Sequence, residues 1–145
     1  MFETVLVVLI GLAGGVAVGL QSPLAGAMGQ RIGPTASSLI IHLGGLFLSL
    51  LLLWFRGGER IQHWQSLPWF MLAAGGLGVV LFQTINVTLP RLGATAMVTL
   101  IIAGQLVTGV LIDSQGWLGV AARPLEPVRA AGVLLLLAGG WLIVR

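Results

Sequence analysis

The sequence predicts an all-α integral membrane protein with five transmembrane helices, and three observations carry that prediction. Hydrophobic residues make up 57% of the chain and charged residues 8%, against roughly 25% charged in a soluble domain. Five apolar runs are separable, each long enough to cross a hydrocarbon core of about 30 Å at about 1.5 Å per residue. Turn residues and tryptophans mark the ends of those runs. With 145 residues there is room for one five-helix transmembrane domain, residues 1–145, and no second domain.

The first run spans about residues 4–28, with Pro23 inside it. The chain opens MFETV, with an acid where a cleaved leader would carry a base, so this run reads as a retained membrane helix. It contains Gly11, Gly15 and Gly19. This ridge of small residues lets helix backbones approach closely, either within the chain or across a dimer seam. The second run covers about residues 34–54 and starts at Pro34, where a missing N–H costs little. The third covers about residues 68–89, starting at Pro68, and the fourth about residues 93–112, with Pro90-Arg91 as the tight connection between them. The fifth covers about residues 126–144, led in by Pro124 and Pro127. Trp54, Trp64, Trp69, Trp117 and Trp141 all fall near run ends or in loops, as in an aromatic belt. In lipid the backbone must satisfy its own hydrogen bonds, so the runs are helices.

Lysine and cysteine are absent, and all seven basic residues are arginines. The arginines are spread one or two per loop, so the clustered basic face that nucleic-acid binding requires is missing. No disulfide or thiolate metal site can form. No carboxylate pair, Ser-His-Asp spacing or phosphate loop points to catalysis, so the chain reads as a non-enzyme that needs no cofactor or metal.

Orientation normally follows the arginine bias of short loops. Five crossings put Arg56, Arg60, Arg123 and Arg129 on the N-terminal side and Arg31, Arg91 and Arg145 on the other. Four against three is almost no bias. An odd number of helices with no preferred orientation predicts two copies inserted in opposite directions, a ten-helix inverted (antiparallel) dimer. Two other readings stay open: a single, weakly set orientation, and pairing with a homologous chain of opposite bias.

The polar residues inside the runs are Gln21, His42, Gln83, Asn86 and Gln105. An unpaired amide in lipid costs about 1–3 kcal/mol or more, and interhelical hydrogen bonds return only about 0.6 kcal/mol on average. These groups therefore serve as interhelical glue or line a wet cavity. Gln83 and Asn86 share a helix face and could meet Gln21. His42 is the residue deep in a run that can titrate near neutral pH. It reads as a hydrogen-bonded packing residue or, if transport is proton-coupled, as the coupling group. Gln105 is placed to bond across a helix contact. Asp113 ends the fourth run, where its charge opposes the helix dipole. It reads as a structural anchor compensated by one of Arg56, Arg60, Arg123 or Arg129.

Three stretches, GLQSPLAGAMGQRIGPTASSLI, the long segment from PWFMLAAGG to DSQGWLG, and RAAGVLLLLAGGWLIV, carry a resemblance covering the whole chain. The chain resembles the YdcZ-like family of small bacterial inner-membrane proteins, a branch of the drug/metabolite transporter superfamily. The matching positions are Gln21, Pro23, Pro90 to Ala94, Gly104-Gln105, and Asp113 with Gly116. Ala25 stands where the family has an asparagine and His42 where it has an aromatic. The resemblance implies five-helix subunits paired antiparallel in the bacterial inner membrane. The membrane glutamate of the distantly related small multidrug exporters has no counterpart in the first run, where Glu3 stands only at the mouth, so their coupling mechanism does not carry over.

Together these readings predict a dual-topology transporter subunit that moves a small polar or amphiphilic metabolite by alternating access. The cavity would be lined by Gln21, His42, Gln83, Asn86 and Gln105. The alternatives are a non-transporting accessory or assembly subunit, and a passive channel.

Overall fold

The computed structural model describes residues 2–145. Its helices are α1 (Phe2–Ile32), α2 (Pro34–Phe55), the single turn α3 (Trp69–Leu72), α4 (Ala74–Gln115) and α5 (Pro127–Val144), with short 3-10 turns at Ile61–Ser66 and Trp117–Gly119. Among the described residues, four helical stretches are long and apolar enough to cross a membrane: Phe2–Ile32, Pro34–Phe55, Trp69–Gln115 and Pro127–Val144. The all-α membrane class follows directly.

The ends of the helices sit where the chemistry of the sequence puts them. Pro34 and Pro127 open α2 and α5 at the first helical turn. One residue, Gly33, separates α1 from α2, and its φ of 94° is a conformation that disfavours any side chain with a Cβ. Trp54 closes α2, Trp69 opens α3, and Trp141 lies near the end of α5 with the Arg145 guanidinium 5.2 Å above its ring. The tryptophans at 54, 64, 69, 117 and 141 are all at least half exposed, as belt residues should be.

Two helices run further than the apolar pattern alone indicates. α1 continues four residues past the expected end at 28, carrying Gly29 and Gln30 into the helix. Pro23 lies inside it without ending it, and the neighbouring Ser22 hydroxyl donates to the Val18 carbonyl at 2.8 Å. The carbonyl that Pro23 leaves without its helical donor is that of Gly19, one residue on from Val18. α4 runs through Pro90 and Arg91, where a tight connection was expected. The departure from helical geometry falls instead at Gly93, with φ 77° and ψ 171°. A proline strains the helix through its missing N–H and its clash with the i−4 carbonyl but keeps a helical φ, whereas the positive φ of Gly93 takes the backbone out of the helical region altogether.

The chain divides into two compact units, Met1–Pro90 and Arg91–Arg145. In the first, α1 and α2 form a hairpin, and residues 82–89 of α4 pack against its closed end. The buried residues there are Ser22, Ala25, Gly26 and Gly29 of α1, Ser37 and Ser38 of α2, and Phe82, Ile85 and Asn86 of α4. Gly26 makes the approach possible, since a Cβ there would lie 3.3 Å from the Ile85 side chain and collide with Leu89. Away from this cluster, apolar side chains from Val5 to Leu20 and from Leu43 to Phe55 are largely exposed, which suits a lipid solvent. In the second unit, the part of α4 beyond Gly93 runs beside α5. Gly140 allows that contact: a Cβ there would stand 3.0 Å from the Thr99 methyl.

Candidate functional site

The intramembrane polar residues of the first unit converge on the closed end of the helical hairpin. The Ser37 hydroxyl donates to the Ala25 carbonyl at 2.7 Å and ties α2 to α1. Gln83 of α4 donates to the Thr35 hydroxyl of α2 at 3.1 Å. Gln30 of α1 donates to the Asn86 carbonyl at 3.2 Å. Gln83 and Asn86 do share the face of α4 turned toward α1 and α2. The α1 amide that reaches Asn86 is Gln30, while Gln21 stays exposed. Gln30 lies outside the expected first run, so the apolar pattern gave no reason to pick it.

Asn86 is the most deeply buried amide of this group, 7% exposed. Its Nδ2 donates to the Phe82 carbonyl at 2.7 Å, one turn back on its own helix. Its Oδ1 is buried without a hydrogen-bond partner and occupies the space that a side chain at Gly29 would take. The Cα–H of Gly29 offers that oxygen only a weak donor. An under-satisfied amide oxygen costs about 1–3 kcal/mol, so Asn86 carries a local penalty.

His42 of α2 is half-buried beside the same cluster. Its Nδ1 lies 2.7 Å from the Ser38 carbonyl, with the Ser38 hydroxyl at 3.4 Å. A carbonyl oxygen can only accept, so Nδ1 carries the hydrogen and Nε2 is the basic nitrogen of the neutral ring. Nε2 faces Gly78, where a Cβ would come within 2.7 Å of it. The ring meets Phe82 edge to face at 5.5 Å between centroids. His42 is thus hydrogen-bonded within its own helix and packed on Phe82, with its Nε2 held against Gly78.

The glycine ridge of α1 behaves differently. At Gly11, Gly15 and Gly19 nothing stands within 4 Å of where a Cβ would project. Among the described residues, none of the three makes a close helix contact.

The second unit holds the remaining candidates. Gln105, Gly109 and Asp113 follow one another at four-residue spacing along α4 and form one wall of a groove of about 580 Å³. Arg129, Gly132 and Leu136 of α5 line the other wall. Arg129 Nη2 donates to Asp113 Oδ2 in an ion pair, with the side chains 37% and 27% exposed. The Asp113 carbonyl also accepts from the Arg123 backbone N–H at 2.7 Å. Asp113 thus pins both the loop after α4 and the first turn of α5, and of the four arginines that could compensate it, Arg129 does. Gln105 is exposed along the groove.

An all-α chain with several apolar helices, sparse charge and amides gathered at helix contacts is a multi-pass membrane protein. The family described as "Putative inner membrane exporter, YdcZ" matches residues 6–142. The inner membrane protein YdcZ of Escherichia coli (strain K12) is 30% identical over 139 residues, which cover 90% of this chain and 91% of that protein. No solved structure matches the chain. The chain belongs to the YdcZ-like family and is a multi-pass protein of the bacterial inner membrane.

Proposed function

We propose that the protein is an exporter subunit that works as an antiparallel homodimer and moves a small polar or amphiphilic metabolite out of the cell by alternating access. The description of the matching family supports the exporter class. The observation that carries the dimer is the arginine count. Four arginines against three, on a chain with an odd number of crossings, leaves no preferred orientation.

The crossing number rests on length. Trp69–Gln115 has 47 residues, about 70 Å as a helix, or more than twice the hydrocarbon thickness. Split at Gly93, it supplies segments of about 36 Å and 33 Å, each enough for one crossing. Two copies of a five-crossing chain in opposite orientations form inverted halves, the arrangement from which many carriers build alternating access. The open ridge at Gly11, Gly15 and Gly19 is a surface suited to close approach by the second copy. In the first unit the substrate-facing candidates are Gln21 and the amides around Asn86, and in the second unit, taken by itself, the candidate is Gln105 of the groove beside α5. His42 Nε2 is the nitrogen that takes up a proton if export is proton-coupled.

The test uses the absence of cysteine. Ser66→Cys and Arg145→Cys are introduced singly and labelled from each face of intact cells with an impermeant maleimide. About half of the molecules should label from outside at each site, as expected for dual insertion. Labelling from one face only at both sites would sink the antiparallel homodimer and direct attention to a second chain of opposite bias.

A further inference from the structure

The Asp113–Arg129 pair stands in an arrangement that helix anchoring alone does not account for. Asp113 lies in the last turn of α4 and Arg129 in the first turn of α5. A helix favours a cation at its C-terminus and an anion at its N-terminus. Both charges therefore oppose the dipole of their own helix. An arginine at 113 and an aspartate at 129 would make the same ion pair with both dipoles in its favour. The sign of each charge must then serve something other than the two helix ends.

The groove supplies what that could be. The ion pair uses Nη2 of Arg129 and Oδ2 of Asp113. A guanidinium has five N–H donors and a carboxylate two acceptor oxygens, so both groups keep bonding capacity while lining the groove. From Asp113 the groove runs over Gly109, which has nothing within 4 Å of its Cβ position, to Gln105, about 12 Å away along the helix. Its walls between these polar points are apolar, and its volume of about 580 Å³ is that of a small-molecule pocket.

We propose that this groove binds a small zwitterion with an apolar body. Its carboxylate bonds to Arg129, its ammonium to Asp113, and its apolar part lies over Gly109 toward Gln105. A purely cationic ligand would face Arg129 and a purely anionic one Asp113, with one repulsion left uncompensated in each case. A zwitterion with its ammonium and carboxylate attached to one carbon answers both. For its cellular role the site rests on the exporter reading. The binding itself does not, because it requires neither dual orientation nor transport.

The test measures binding of phenylalanine to the purified full chain in phosphatidylglycerol nanodiscs by saturation-transfer NMR. Phenylalaninamide, a cation, and N-acetylphenylalanine, an anion, are run alongside. Phenylalanine should bind about ten-fold more tightly than either capped form, the size expected when one charged partner is lost. Gly109→Leu fills the groove without touching the ion pair and should weaken binding by about ten-fold with the helical circular dichroism unchanged. Asp113→Asn should abolish the preference over the N-acetyl form. If that variant fails to fold, Gly109→Leu carries the test alone. Equal binding of the three probes, or unchanged binding in Gly109→Leu, overturns the proposal. So does loss of phenylalanine binding when phosphatidylethanolamine is added, because the occupant would then be a lipid headgroup. Single-face cysteine labelling, by contrast, would overturn the antiparallel dimer and leave this site standing.

Discussion

Along α1 the same residue type occupies two opposite surroundings. Gly26 and Gly29 lie buried where residues 82–89 of α4 cross the helix, and their missing side chains are replaced by Leu89, Ile85 and Asn86. Gly11, Gly15 and Gly19, about two to five turns earlier, face nothing among the described residues. A glycine in a helix interior costs roughly 0.8–1 kcal/mol relative to alanine. At 26 and 29 the close helix contact offsets that cost within the chain. At 11, 15 and 19 no close contact among the described residues offsets it. The difference separates a part of the helix built for its own subunit from a part whose use requires another.

The sharpest way to break this comparison is Gly29→Ala. The added methyl would lie where the Asn86 side chain now sits, and Asn86 is itself buried. Overpacking of this kind costs about 1–3 kcal/mol, and displacing Asn86 threatens its bond to Phe82 as well. The expected outcome is a large loss of folded, monodisperse protein in detergent and a clearly lowered melting temperature. A variant as stable as the parent would mean that Asn86 is not held against α1.

Gly15→Leu tests the other end. With open space around the Cβ position, the fold of the single chain should be unchanged, and alanine-like helix propensity should raise helix stability slightly. The expected loss is in pairing. Crosslinking between copies carrying a single cysteine in α1 should fall several-fold, because a leucine keeps the two backbones apart. If the melting temperature of the isolated chain falls instead, the ridge packs within the subunit and the contrast along α1 disappears.

How much of this could be read from the sequence follows the same division. The all-α membrane class and the apolar helical stretches were legible, because apolar length and proline at the first turn are local properties, but the expected third and fourth runs lie in one stretch, Trp69–Gln115. The compensation of Asp113 by an arginine was legible too, since a carboxylate at a helix C-terminus needs one. The amide cluster was legible only in part. Gln83 and Asn86 share a face by spacing alone, but Gln30 and Gly29 lie past the point where the apolar pattern of the first run ends. Their place in a helix depends on Gly33 making the turn to α2. The geometry at Gly93 was likewise hidden, because Pro90 is the louder local signal and a positive φ three residues later is a tertiary choice.

The smallest expected effects come from two serines that look alike in sequence. Ser37 and Ser22 are both buried and both donate to a backbone carbonyl. Ser37 reaches across to Ala25 of α1, whereas Ser22 bonds Val18 within its own helix. Removing the interhelical bond with Ser37→Ala should cost about 0.6 kcal/mol, the average for such bonds in membrane proteins. Removing the local one with Ser22→Ala should be near neutral, because serine bonding back to its own helix contributes little and alanine has the higher helix propensity. Thermal melts of the two variants in the same detergent should therefore separate, with Ser37→Ala lower by one to a few degrees, as expected for about 0.6 kcal/mol in a chain of this size. Identical melts would mean that the hairpin's closed end is held by the shapes of Ala25, Gly26 and Gly29 rather than by hydrogen bonds. The stability of α1 against α2 would then lie in the same small-residue packing that its other end leaves unused.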